Sequence, residues 1–394
     1  MEKLECKRNI NLGLQLPPNV VEVILPKLTI SDLPACRLVS RTWNHLILNY
    51  ASSSKFIPNL FLAASYEIHY SRNCNCNPHC RPTFKCNPKM YCIDINRTNN
   101  LIASFVFDNN DWPYKIKILN SCNGLLYIHK VGDENFCNGI LNPMTNEFFI
   151  LSTQPKVKNE DISCFYGFGF NLKTKQYKLF KAIHDEEDSH LMMEVMRFGK
   201  NEETKEWRHL TCLPFVFYCD GVYLNGVIYW IGRQKENKSV IYSLNVETEK
   251  IESITVLKVD PSYNTSDYGY YIGKYNGNLY ATIWIHGTCC KKVQLWMMQG
   301  KDCWVKEFVV HDIEDRYVDA FLVLVKIFED GERWFYVGSR LILCYDKTGT
   351  QIKKKCRMKR VSNGRGNLVG QLCHFDSLNF GSLPNILDGH NELN

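Results

Sequence analysis

The sequence predicts a mainly β chain, in which a propeller-like array of short antiparallel blades follows a small α-helical module. Three observations carry this expectation. An Asn-Gly pair stands before alternating apolar residues at Asn123, Asn225 and Asn276, with spacings of 102 and 51 residues. A second turn signal, Asn-x-x-Thr, follows at Asn142, Asn171 and Asn245, and the similar run Asp346-Lys347-Thr348 stands near the end. The first fifty residues, by contrast, carry apolar side chains at helical rather than strand spacing.

The helical module comes first. Pro17 and Pro18 suit a helix start, because the first turn has no intrahelical partner for the amide that proline lacks. Val21, Ile24, Leu25 and Leu28 then mark one apolar helical face. Pro26 interrupts that pattern, so the helix is expected to kink or end near Leu25. Ser31 is suited to cap a second helix bearing Leu33, Cys36 and Val39, and Ser40 a third bearing Trp43, Leu46, Ile47 and Tyr50. Helices this short are not stable alone. Together they carry more apolar surface than they can hide among themselves, and a partner is the natural place for the excess.

Leu16-Pro17, Ile24-Leu25, Leu28, Asp32-Leu33, Arg37, Val39-Ser40 and Trp43 give this segment a joint pattern that resembles an F-box. The resemblance implies docking to a Skp-type adaptor and, through it, a cullin scaffold. The residues expected to make that contact are Leu16, Pro17, Val21, Ile24, Leu25, Leu28, Leu33, Cys36, Val39 and Trp43. The alternative is a helical cap on a stand-alone propeller that is a binding protein or an enzyme.

The remainder reads as a repeat. Asn and Gly both tolerate the positive φ of a type I′ hairpin, and an Asn or Asp side chain can accept a bond from the backbone two residues on. Turn signals every 8 to 12 residues and a period near 51 leave room for about six units between Phe56 and Asp376. Four-stranded units of that size are those of a β-propeller, whose blades need neighbours to bury their faces. A β-sandwich would need no internal repetition. SCNGLLYI with LNPMTNEF, GFGFNLKTKQYKLF, and GVYLNGVIYWI with IYSLNVETEKI resemble the kelch-like, F-box-associated domain of plant F-box proteins. The resemblance implies a substrate-recognition domain. The expected division is residues 1–52 for the helices, 53–380 for the propeller and 381–394 for a tail.

No nucleophile elbow, phosphate loop or paired metal-ligand motif appears, and the resemblance calls for neither a catalytic residue nor a cofactor. Gly167 and Gly169 lie within a strand pattern. Cys74, Cys76, Cys80, Cys86 and Cys92 crowd together near His69 and His79, but without the paired C-x2-C spacing of common zinc modules. They read as a long reduced insertion. The run KKKCRMKR at 353–360 is expected on a strand edge guarded by lysine, with a nuclear import signal or a patch for an acidic target as the alternative. Target binding is placed in the inter-strand loops of one propeller face, with Tyr263, Tyr268 and Tyr270 of the Asp260–Tyr270 segment as candidate anchors. Those tyrosines read equally well as the start of the next strand.

A net charge of +6 is spread thinly along 394 residues, which gives no footprint for nucleic acid. No apolar run approaches membrane-spanning length, and the amino terminus has no secretory pattern. Eighteen cysteines are therefore expected as reduced thiols, in the cytosol or nucleus.

Overall fold

The computed structural model describes residues 17–25, 28, 32–52, 60–65, 89–94, 102–108, 115–131, 135–145, 147–155, 162–185, 190–198, 206–234, 238–256, 268–286, 291–300, 303–311, 322–337, 341–357 and 372–374. Three helices come first: α1 (Pro18–Ile24), α2 (Leu33–Arg37) and α3 (Arg41–Ser52). Helix α1 stops as Pro26 demands, with Leu25 as its C-cap. Helix α2 is a five-residue turn with Asp32 at the N-cap and no side-chain capping bond; Ser31 lies outside the described residues. Ser40 caps α3, its Oγ accepting from the Trp43 amide at 3.2 Å.

All other elements are strands, arranged among the described residues in six antiparallel sheets. Sheet one holds β1 (Leu60–Ser65), β2 (Lys89–Asp94) and β3 (Ile102–Asp108). Sheet two holds β4 (Lys115–Cys122), β5 (Leu125–Val131), β6 (Asn135–Asn142) and β7 (Glu147–Pro155). Sheet three holds β8 (Ile162–Asn171), β9 (Gln176–Asp185), β10 (Leu191–Phe198) and β11 (Arg208–Leu213). Sheet four adds the short β12 (Val216–Phe217) and β13 (Val222–Leu224) to β14 (Val227–Gln234), β15 (Lys238–Asn245) and β16 (Ile251–Val256). Sheet five holds β17 (Tyr268–Tyr275), β18 (Asn278–His286), β19 (Lys291–Met298) and β20 (Trp304–Val310). Sheet six holds β21 (Leu322–Ile327), β22 (Arg333–Val337), β23 (Leu341–Tyr345) and β24 (Ile352–Arg357). Finally β25 (Leu372–His374) returns to pair with β1, Leu62 opposite Cys373, so the end of the array completes the sheet that began it. That pairing covers a strand edge at the seam of the ring.

The turn chemistry is as the sequence predicts. Asn123 (φ 48°), Asn225 (48°) and Asn276 (49°) all adopt left-handed conformations, as do the glycines that follow them. The Oδ1 of Asn171 accepts from the Lys173 and Thr174 amides at 2.9 and 3.1 Å. Asn245 Oδ1 accepts from Glu247 and Thr248 at 3.0 and 2.9 Å, and Asn142 Oδ1 from Met144 at 3.0 Å. Asp346 does the same for Thr350 and Gln351. In sheets three and six, which lack Asn-Gly, Lys175 (φ 57°) and Gly331 (φ 87°) supply the positive φ. Because neighbours are antiparallel, these turns close one end of each sheet, and the crossings from one sheet to the next leave from the other.

Aromatic side chains fill the spaces between sheets. Trp230 is fully buried, stacked on Phe217 with ring centroids 5.0 Å apart. A Cβ on Gly167 would stand 2.4 Å from Trp230 Cζ2, and one on Gly169 2.7 Å from Val246 Cγ2. The Gly-Phe-Gly strand is thus the seat on which sheet four rests. The stretch Lys353–Arg357 forms most of the edge strand β24, with Lys353 bonded to Glu332 and Lys355 exposed. The strand-edge reading of this run accounts for the described part of it.

Candidate protein-docking surfaces

The helical module divides its apolar residues between an inside and an outside. Val21, Leu25, Leu33 and Ile47 are buried, as side chains that hold the three helices together. Ile24, Leu28, Cys36 and Trp43 are half-buried. Val39 is 62% exposed, and it is joined outside by Leu38 (88%), Val23 (60%) and Val20 (37%). Of the ten residues expected to contact the adaptor, Val21, Leu25 and Leu33 are therefore internal, Pro17 and Val39 lie outside, and Leu16 is not among the described residues. Sequence reading overlooked Val20, Val23 and Leu38. They sit one residue from positions of the regular helical stripe, and in so short a bundle the apolar arc is wider than its buried part.

Arg37, Leu38, Ser40, Arg41 and Asn44 face Met144 and Thr145 of the β6–β7 turn across a pocket of about 580 Å³. This places the helices at the turn-bearing end of the sheets. Arg37 Nε donates to Asn44 Oδ1 at 2.7 Å, bracing α2 against α3 on the pocket wall.

The candidate tyrosines have a different place from the one expected. Tyr268 and Tyr270 belong to strand β17 rather than a loop. Tyr270 is 2% exposed, its ring stacked on Tyr218 at 4.6 Å and its hydroxyl bonded to Ser239. It is a packing residue between sheets four and five, not an exposed anchor. Tyr268 is half-buried beside it, and Tyr263 lies outside the described residues. Strand alternation put an aromatic on the inner face here, and the sequence alone did not distinguish that from a loop.

A polar tie that the sequence did not reveal joins sheets two, three and four. Asn120 Nδ2 donates to the carbonyls of Tyr166 (3.2 Å) and Gly221 (2.5 Å), and Gly221 N donates back to Tyr166 O at 2.7 Å. The Tyr166 amide in turn donates to Asp220 Oδ1 at 2.7 Å. Burial pushes the Asp220 carboxyl up to about 6, against the pull of the Tyr166 bond and the Lys117 charge. His129, driven down to about 3 by burial and by Lys117, stays neutral, its Nε2 3.0 Å from the Tyr127 hydroxyl.

Among the described residues no three His, Cys, Asp or Glu side chains converge as a metal site, and no helix is long and apolar enough to cross a membrane. Cysteines with placed side chains such as Cys36, Cys164 and Cys344 are free thiols. The Cys74–Cys86 cluster lies outside the described residues, as do the side chains of its neighbour Cys92 and of residues 356–360.

Residues 85–368 match the model of the F-box associated beta propeller domain, and residues 14–52 that of the F-box domain. Among curated proteins the chain is 23% identical to Putative F-box only protein 11 of Arabidopsis thaliana, over 61% of this chain and 58% of that protein. It is 24% identical to Putative F-box protein At1g53550 of the same plant, over 73% and 68% of the two chains. The chain thus spans between 58% and 68% of the length of these relatives. Among solved structures, the β-propeller domain of the Trilobed protease from Pyrococcus furiosus aligns with a TM-score of 0.34 at 10% identity, covering 63% of this chain and 85% of that one. TolB from Acinetobacter baumannii aligns with a TM-score of 0.32 at 9% identity, covering 55% and 50%. Likeness at that level carries no inference about activity. With a helical module matching the F-box and a propeller whose model spans most of the sequence, the chain belongs to the family of F-box proteins with an F-box associated β-propeller domain.

Proposed function

We propose that the chain is the target-binding receptor of a Skp–cullin–F-box ubiquitin ligase, docking a Skp-type adaptor through its helices and a target protein through its propeller. The observation that carries this reading is the coincidence of the F-box match over residues 14–52 with an uncovered apolar surface on the same helices. Leu38 and Val39 lead that surface, and burying each such side chain in a partner is worth ~1.5–3 kcal/mol. Interface energy concentrates in few residues, so these two, with Val20 and Val23, are the anchors proposed here. The buried Val21, Leu25 and Leu33 act by shaping the module, and Ile24, Cys36 and Trp43 complete the rim of the contact.

The module sits beside the β6–β7 turn of sheet two, so the surfaces of the other sheets stay open to a target while the adaptor is docked. Such a receptor carries out no bond chemistry of its own. It raises the effective concentration of target lysines near the conjugating machinery that the cullin brings. Its working compartments are the cytosol and nucleus.

Capture of purified Skp-type adaptor and cullin by the full chain tests this. Leu38→Asp with Val39→Asp is expected to abolish capture while leaving the main thermal transition in place, because both side chains are exposed. Undiminished capture by that variant would refute the docking surface. No capture by the native chain would refute the receptor reading and favour the stand-alone propeller.

A further inference from the structure

At the boundary of sheets three and four one carboxylate is shared by three cations. Glu249 stands on the β15–β16 turn in a left-handed conformation, φ 60°. Its Oε1 accepts from Lys178 Nζ at 2.9 Å and from Arg197 Nη2 at 3.0 Å, and its Oε2 accepts from Arg208 Nη2. The cations stand on successive strands β9, β10 and β11, Lys178 directly opposite Arg197 and Arg208 opposite Val195. Lys178 is 4% exposed and gives a second bond to Val246 O at 2.6 Å, so it is fixed in place. Arg197 and Arg208 are 44% and 51% exposed. Their remaining N–H donors have solvent to face.

Among the described residues the charges at this site do not balance, since one carboxylate faces three cations and leaves two positive charges in excess beside a buried lysine. The neighbouring acid Glu247 is already held by Lys173 at 3.2 Å, and Lys175 on the adjoining turn is exposed and adds to the positive side. Burial raises the Glu249 carboxyl, but the bonds from Lys178, Arg208 and Arg197 overcome this and hold it down at about 2, so it is an anion throughout the physiological range. A latch between two sheets needs one cation for one carboxylate. The additional guanidinium groups repel each other, and a second anion between them would relieve that repulsion. Guanidinium N–H groups match carboxylate and phosphate oxygens in pairs.

We propose that Arg197 and Arg208, held in place by Glu249 and backed by Lys178, form a recognition site for an anionic group, a phosphoryl or a carboxylate, on a protein that docks to this propeller. The proposal rests on the reading of the chain as a protein-binding receptor and adds the chemistry of one contact.

The test is titration of the full chain with inorganic phosphate at constant ionic strength, followed by the arginine Nε–Hε resonances and by the thermal midpoint. Arg197→Gln with Arg208→Gln is expected to weaken phosphate binding by about tenfold or more, the scale of losing charge-assisted bonds. Glu249→Gln should act in the opposite direction. It lowers stability, strengthens phosphate binding several-fold, and gives a larger rise of the midpoint on adding phosphate than the native chain shows. No response of the native chain, equal binding by the native chain and the double arginine variant, or a Glu249→Gln variant that phosphate does not rescue would each overturn the proposal. Two peptides identical except for phosphoserine or glutamate then distinguish the sources. Tighter binding of the first assigns a phosphoryl, equal binding a carboxylate, and binding of neither overturns the proposal. Adaptor capture should be unchanged in all these variants, so failure here is distinct from failure of the receptor reading.

Discussion

The side-chain amide of Asn120 donates to the backbone carbonyl of Gly221 at 2.5 Å, across 101 residues of sequence. With its second bond to Tyr166 O it joins the edge strand β4 of sheet two to sheets three and four. The relationship is a fastening of the ring rather than a feature of any one sheet. Asn120→Ala leaves two inward-facing carbonyls with one fewer donor and is expected to cost about 1–3 kcal/mol. A lower urea midpoint with an unchanged slope would report it; adaptor capture should not change.

Gly167 faces the indole of Trp230 where there is no room for a Cβ. Gly167→Ala should destabilise the chain by about 1–3 kcal/mol through overpacking. Trp230→Leu in the same background should recover part of that loss, because the added methyl then has space. Additive losses in the double-mutant cycle would argue against the contact.

The pH dependence of Asp220 has a definite sign. Its folded-state value, raised to about 6 from 3.8, means that the folded chain holds this proton more tightly than the unfolded chain does. The penalty on stability therefore builds as the pH rises from about 4, is complete above about 6, and disappears again as the pH falls back towards 4. Asp220→Asn keeps an oxygen for the Tyr166 amide and is expected to be more stable than the native chain by about 1–3 kcal/mol at pH 7.5. The advantage should vanish near pH 4 in chemical denaturation curves. A pH-independent difference would show that the carboxylate is not the cause.

Ser40 caps α3, the helix that carries Trp43 and Ile47. Ser40→Ala should cost about 0.5–2 kcal/mol of local stability, and Ser40→Asp should retain most of it. In hydrogen exchange, faster exchange of the α3 amides in the alanine variant, with the strands unaffected, is the expected result. Adaptor affinity should fall with the fraction of ordered module.

Much of the architecture was legible in the sequence because it is built from local chemistry. The Asn-Gly and Asx turns are decided within a few residues by backbone sterics and one side-chain oxygen, so Asn123, Asn225, Asn245 and Asn276 could be placed before any packing was known. The stop of α1 at Leu25, before Pro26, and the cap at Ser40 are local in the same sense. So is the spacing of the units, which turn signals alone count.

Tertiary structure decided everything that depends on which side of an element meets what. Tyr270 is internal because Tyr218 and Ser239, more than thirty residues away, cover it. Among the apolar residues of the helical module, Val21 and Leu33 are hidden and Leu38 and Val39 are not, a division made by how the helices cross. The sharing of Glu249 among Lys178, Arg197 and Arg208 and the return of β25 to β1 are likewise pairings between distant parts of the chain. Hydropathy is the same for an apolar residue facing a neighbouring sheet and one facing a partner. Charge is the same for a paired arginine and one with donors to spare. The sequence therefore determined the strands, turns and family, while the closing of the ring determined which surfaces remain open to other molecules.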